Sequence, residues 1–211
     1  MNNNNSKFQY LFFSNLSLIE KNLYKTKIYN FIKHLKFEYN SFSKWYNHLY
    51  DSTNGLLPGR EIVICQINKN IVGVAILKKS TEESKICTLR VAAEYQHMGI
   101  GKELVNKSIN WLENEKPLIT VRQTLVPQFN SLFSYFGFNK EESYRSYYKL
   151  FSTEVSFNGI LPDKPNFFER IIPANMTDFL KNHITGDFFT PTELSDLYIK
   201  DFFQTNFSVS F

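Results

Sequence analysis

Cysteine is scarce in this chain of 211 residues: Cys65 and Cys87 are the two present, each inside an apolar run. They read as buried strand thiols, not as a disulfide pair. Four histidines are scattered without a Cys or His partner at ligand spacing, so no metal site is expected. Charge of one sign is also lacking. The formal net charge of +4 is too small to argue for nucleic acid by itself. No apolar run reaches the length of a membrane span, and the start, Met1 to Ser6, is polar and lacks the apolar region of a secretion signal. The expected location is the cytoplasm, with residues 1–7 a disordered head.

Aromatic residues are what the chain has in plenty: 17% of the sequence, with 21 Phe. A chain of this length can bury a core without covalent staples. Phe8 to Phe13 reads as a first strand. Ile28, Phe31, Ile32 and Leu35 recur at i, i+3, i+4 and i+7, one face of a helix, and Phe42, Trp45, Tyr46 and Leu49 repeat the pattern. Asn40 or Ser41 is the expected cap of that second helix. Glu61 to Ile67 and Ile71 to Leu77 are Val- and Ile-rich strands joined through Asn68-Lys69-Asn70, a hairpin signal. Ser84 to Val91 is a further strand. A helix follows from about Gly99 to Asn114, then a short strand, Leu118 to Val121. A helix carrying Phe129, Leu132, Phe133 and Phe136 stops at Gly137. Tyr144 to Phe151 completes the strand set. This order predicts an α/β domain with a mixed, largely antiparallel central sheet flanked by helices, over residues 8–152. Residues 153–211 form a C-terminal extension of unassigned role. In it, Thr190-Pro191-Thr192-Glu193 reads as a capping box and Phe207 to Phe211 alternates like a strand.

The segment with chemical content runs from Leu89 to Leu104, LRVAAEYQHMGIGKEL. A strand leads into a turn and the turn opens a helix. Such a turn presents backbone N–H groups at the positive end of the helix dipole, where phosphate oxygens bind. Gly99 lets a diphosphate approach the backbone. The dinucleotide fingerprint G-x-G-x-x-G fails because position 104 is Leu. A P-loop fails because Gly101-Lys102 is followed by Glu103.

Gln96-His97-Met98-Gly99-Ile100-Gly101 resembles the acetyl-CoA signature [QR]-x-x-G-x-[GA] of the GNAT superfamily of N-acyltransferases. The order of elements from Glu61 to Lys149 and the helix ending in Gly137-Phe138 are similar to that family as well. The resemblance implies acetyl-CoA as co-substrate and direct attack of a primary amine on its thioester. It implies that the strand ending at Val91 splays from Leu118 to Val121. Leu89, Arg90 and Val91 would then hold the pantetheine arm, and Gln96, His97, Met98, Gly99, Ile100, Gly101 and Lys102 the diphosphate. Glu83 matches the place of the family's glutamate base. The family's tyrosine acid is replaced by Phe133, assigned instead to the core or cofactor channel. Tyr135, about 200° around the helix from Phe133, is the candidate proton donor. The helix-opening Asn is Val126. The acceptor is left open among a small molecule, a protein amine and an aminoacyl-tRNA, and a homodimer is possible. The alternative reading is a non-catalytic acyl-CoA-binding or protein-interaction module of the same fold.

Overall fold

The structure, a computed structural model, describes residues 8–39, 41–149 and 151–163. The head 1–7 and the readings placed at 190–193 and 207–211 lie outside the described residues. Seven strands form one sheet: β1 (Gln9–Phe12), β2 (Arg60–Ile67), β3 (Asn70–Lys79), β4 (Ser84–Val91), β5 (Leu118–Arg122), β6 (Lys140–Arg145) and β7 (Thr153–Phe157). Their spatial order is β1-β2-β3-β4-β5-β7-β6. Every neighbouring pair is antiparallel except β4 and β5, which are parallel. The helices are α1 (Leu18–Ile32), α2 (Phe42–Asn47), α3 (Ile100–Leu112) and α4 (Val126–Phe136).

Alternation along the strands divides the core. Val63 and Cys65 of β2 face one side with Leu104 and Val105 of α3 and Phe133 of α4. Ile62 and Ile64 face the other side, against Ile28 and Ile32 of α1 and Tyr46 of α2. Each such fully buried aliphatic side chain contributes roughly 1.5–3 kcal/mol relative to exposure. Asn68 and Lys69 both have positive φ, 50° and 64°. They form the two-residue turn, with its mirror-image twist, that joins antiparallel strands. Ser17 and Glu20 close a reciprocal capping box at the start of α1. At α2, Ser41 stands at the N-cap with φ 65° but its side chain makes no capping hydrogen bond, and Asn40, the other expected cap, lies outside the described residues.

Two expectations are corrected at the far edge of the sheet. The strand read at 144–151 is displaced: β6 covers Lys140–Arg145 and the chain turns after it. As an edge strand it carries exposed Lys140, Glu141, Glu142 and Arg145, charges that discourage strand addition and leave no buried face to detect. The domain also extends past residue 152, because β7 lies between β5 and β6 and pairs with both. All the elements named here belong to the first of the chain's two units, which ends at Pro162.

Candidate active site

The two parallel strands touch at just two pairs, Lys85 with Leu118 and Ile86 with Ile119. At the next residue β4 bulges. Ile76 of β3 faces Thr88 and Leu77 faces Ile86, so Cys87 has no opposite number. An extra residue on one strand bends it and increases its twist. Beyond the bulge, β4 runs on to Val91 and β5 to Arg122 without pairing to each other. Half of the peptide groups of Thr88 to Val91 are engaged with β3; the rest face the gap. The splay expected from sequence therefore has a local cause at Cys87.

The gap leads to the turn before α3. His97 has φ 62° and Gly99 φ 82°. Left-handed residues flanking a helix start gather successive N–H groups into a concave nest for an anion. No side chain caps α3 among the described residues, so its first N–H groups remain available. A Cβ added at Gly99 would meet nothing within 4 Å, which shows open space in front of the backbone there. At Gly73 of β3, by contrast, a Cβ would lie 3.0 Å from Ile100 and from Leu104. That glycine lets α3 sit close to the sheet and fixes where its N-terminus points.

The cleft has two halves, each with a volume of about 330 Å³. Leu89, Val91, Gln96, Gln128 and Phe129 line both and make them continuous. The first half adds His97, Gly99, Gly101, Lys102 and Tyr135. Gln96 donates from Nε2 to the Val91 carbonyl at 3.4 Å, tying the turn to the strand. The second half opens between β4 and β5 under the segment that follows α1. His34, Glu38 and Tyr39 line it from above, and Cys87, Arg90, Thr120 and Arg122 from the sheet.

Its electrostatics are mixed. Arg122 is ion-paired to Glu38. Behind Arg122, Glu154 of β7 is 1% exposed and its Oε2 has no hydrogen-bond partner among the described residues. Burial raises the Glu154 carboxyl to about 7, against the opposing pull of Arg122 and Lys85. Arg90 contacts the Nε2 of His34 and lies over the ring of Phe31, 5.5 Å from its centroid. Burial, followed by the charge of Arg90, lowers the pKa of His34. The Cys87 thiol is pushed up by burial, which makes it a poor nucleophile.

Of the residues singled out by sequence, Leu89, Val91, Gln96, His97, Gly99, Gly101, Lys102 and Tyr135 come together in the first half, and Arg90 lines the second. Met98 is 59% exposed, and Ile100 is buried in the core, so these two have only backbone to offer. Phe133 lines neither half. It is buried against Phe157, Phe129 and Phe138 at ring distances of 4.5, 5.2 and 5.6 Å, which corrects its assignment to the cofactor. Tyr135 is exposed, with the Lys102 ammonium 3.7 Å above its ring. Glu83 also lines neither half. Its carboxylate lies 2.5 Å from Lys78 and 3.7 Å from Lys85. Burial opposes its ionisation, but the Lys78 hydrogen bond and the charges of Lys85, Lys78 and Arg60 prevail and hold it below the usual range. A carboxylate so stabilised is a weak base. Sequence reasoning missed His34, Glu38, Tyr39 and Gln128, which come from helices and a connecting segment with no motif of their own.

Residues 27–138 match the model of the acetyltransferase (GNAT) family, and the chain belongs to that family. Among solved structures, a GNAT-family acetyltransferase candidate from Desulfovibrio desulfuricans is similar at a TM-score of 0.51 and 12% identity, over 72% of this chain and 97% of that one. The ribosomal-protein-S18-alanine N-acetyltransferase of Escherichia coli is similar at 0.48 and 16%, over 75% and 100%. A streptothricin acetyltransferase candidate from Bacillus anthracis, solved with acetyl coenzyme A, is similar at 0.43 and 19%. There the match covers 48% of this chain and 63% of the other, less than two thirds of its length. A search of curated proteins finds no match. No helix among the described residues is long and apolar enough to cross a membrane.

Proposed function

We propose that the protein transfers an acetyl group from acetyl-CoA to a primary amine by direct attack. The observation that carries this reading is the continuity of the cleft. An uncapped helix start with open space at Gly99 leads, through Leu89 and Val91, to unpaired strand edges and then to a second chamber lined by polar side chains. The first half fits a diphosphate and the gap fits an extended thiol-bearing arm. Gln96, Gly99, Gly101 and Lys102 would hold the diphosphate, and the β4 edge the arm.

In the reaction the amine nitrogen forms a bond to the acetyl carbon, the carbon–sulfur bond breaks, the amine gives up a proton and the thiolate takes one. Backbone N–H groups of β4 facing the gap would polarise the carbonyl. Phe133, which stands in the place of the family's tyrosine acid, has no proton to give and is buried in the core. Tyr135, the expected donor, and Tyr95 are the phenols that line the first half. A thiol of pKa about 8.5 is a tolerable leaving group without strong acid assistance. For the amine proton, Glu83 is turned toward lysines. His34 Nε2 is committed to Arg90, because a guanidinium only donates. Proton release to water in the open cleft is the route that uses neither.

The test is acetyl-CoA turnover against a panel of primary amines, together with calorimetric titration of coenzyme A. Binding with acetyl transfer supports the reading. Binding without transfer to any amine favours the alternative of a non-catalytic acyl-CoA-binding module. Absence of binding removes both.

A further inference from the structure

Arg90, Arg122 and Glu38 line the acceptor chamber, while Glu154 and Lys85 stand outside its lining. Arg122 has Glu38. Glu154 has Arg122 and Lys85 close enough to act on its charge. Lys85 has Glu83 at 3.7 Å and donates to the Tyr148 hydroxyl at 3.3 Å. Arg90 is different. It makes no ion pair among the described residues, and its Nε, like that of Arg122, is buried without a partner. Its near neighbours are a neutral imidazole and the ring of Phe31.

A guanidinium always carries its charge and offers five N–H donors in a planar fork. Here His34 accepts one of them, and the aromatic ring supports the plane from the side. His34 cannot compete for an anion, since its lone pair faces Arg90 and burial disfavours its protonated form. The arrangement holds a cation in a fixed orientation and leaves its remaining donors unused at the wall of the cleft. Arginine forks of this kind match the two oxygens of a carboxylate or the oxygens of a phosphate.

We infer that the acceptor is a small primary amine bearing an anionic group, carboxylate or phosphate, which Arg90 receives while His34 positions the guanidinium. This inference rests on the acetyl-transfer reading and names its substrate class. The chamber then neutralises the acceptor at one end and leaves its amine free toward the gap between β4 and β5. Arg90 is not assigned to the diphosphate. It lines the second half, whereas the uncapped α3 start opens into the first.

The experiment compares twins that differ only in the anionic group: amino acids against their amides, and aminoalkyl phosphates against the corresponding amino alcohols. The expected result is a preference in kcat/KM for one class of anionic twin on the order of 10- to 100-fold, the worth of a charge-assisted hydrogen bond. Preference in the amino-acid pair identifies carboxylate, and in the phosphate pair, phosphate. In Arg90→Gln the ratio collapses toward one, and in Arg90→Lys it falls part of the way because the fork is lost. His34→Ala lowers the ratio, and His34→Gln, whose amide oxygen can accept from Arg90, restores part of it. Coenzyme A titration of each variant reports whether the site is still folded. Equal kcat/KM for the twins in the unaltered protein overturns the inference without any variant and leaves acetyl transfer standing. A preference that survives in a folded Arg90→Gln overturns it as well. Failure of every amine with coenzyme A still bound refutes acetyl transfer itself.

Discussion

Glu154 provides a sharp test of the electrostatics beneath the cleft. Its carboxyl is raised from 4.5 to about 7, chiefly by burial, with Arg122 and Lys85 opposing. A raised carboxyl binds its proton more tightly in the folded chain than in the unfolded one. Between those two values the folded state holds more protons, so stability falls as pH rises through the window, and the full cost applies above it. At 1.36 kcal/mol per pKa unit that cost is about 3 kcal/mol. Glu154→Gln keeps the shape and removes the titration. From the same two pKa values, its advantage over the parent should be about 1 kcal/mol at pH 5 and about 3 kcal/mol at pH 8. Any fixed cost of burying the amide shifts both values equally, so the growth of about 2 kcal/mol is the quantity to measure. Tyr39 and Tyr148, the phenols nearby, are pushed up by burial and stay protonated across this range. Urea unfolding curves at several pH values, followed by the fluorescence of Trp45 and Trp111, give the difference directly. Parallel stability curves for the two proteins between pH 5 and 8 would refute the reasoning, whatever the sign of their offset.

Gly99→Asp should weaken coenzyme A binding on the order of 100-fold by setting a carboxylate against the diphosphate, measured by calorimetry; unchanged affinity removes the α3 start as the phosphate site. Phe133→Tyr should cost about 2 kcal/mol, since its hydroxyl enters a cluster of phenylalanine rings without a partner. It should not raise kcat, and a gain in turnover would show that the ring reaches the cleft. Gly59→Ala should lose about 3 kcal/mol, read as a melting temperature lower by roughly 10 °C. Its Cβ would stand 2.2 Å from the Lys79 carbonyl oxygen at a φ of 69°, and near-parental stability would contradict that geometry.

Legibility from sequence followed the kind of physics at each place. The hairpin at Asn68-Lys69 and the helix stop at Gly137 announce themselves because one backbone conformation demands those residue types. Central strands β2 and β3 are apolar enough to read directly. The far edge was misplaced for the opposite reason. β6 is exposed along most of its length, and β7 alternates Thr153, Glu154, Val155, Ser156 and Phe157 with a buried carboxylate where an apolar residue would be expected. The tyrosines at 144, 147 and 148 then drew the strand too far along the chain. The polar side of β7 makes sense only once Arg122, its cross-strand partner, and Lys85 are seen beside it.

The two halves of the site differ in the same way. The half at the start of α3 is lined by the turn Gln96 to Gly101, whose backbone geometry, with positive φ at His97 and Gly99, imposes a short local pattern. The other half is lined by side chains that meet across the fold. His34 and Arg90 are 56 positions apart, and Arg122 and Glu38 are 84 apart. No local spacing encodes such a meeting. The bulge at Cys87 lies where the pairing of β4 with β5 ends, and Arg90, three residues on, lines the second half with His34. On the acetyl-transfer reading proposed above, the cofactor would be recognised through a local motif and the acceptor through side chains gathered from distant positions. The two can therefore change independently: a substitution at Arg90 should alter which amine enters without disturbing the turn at Gly99.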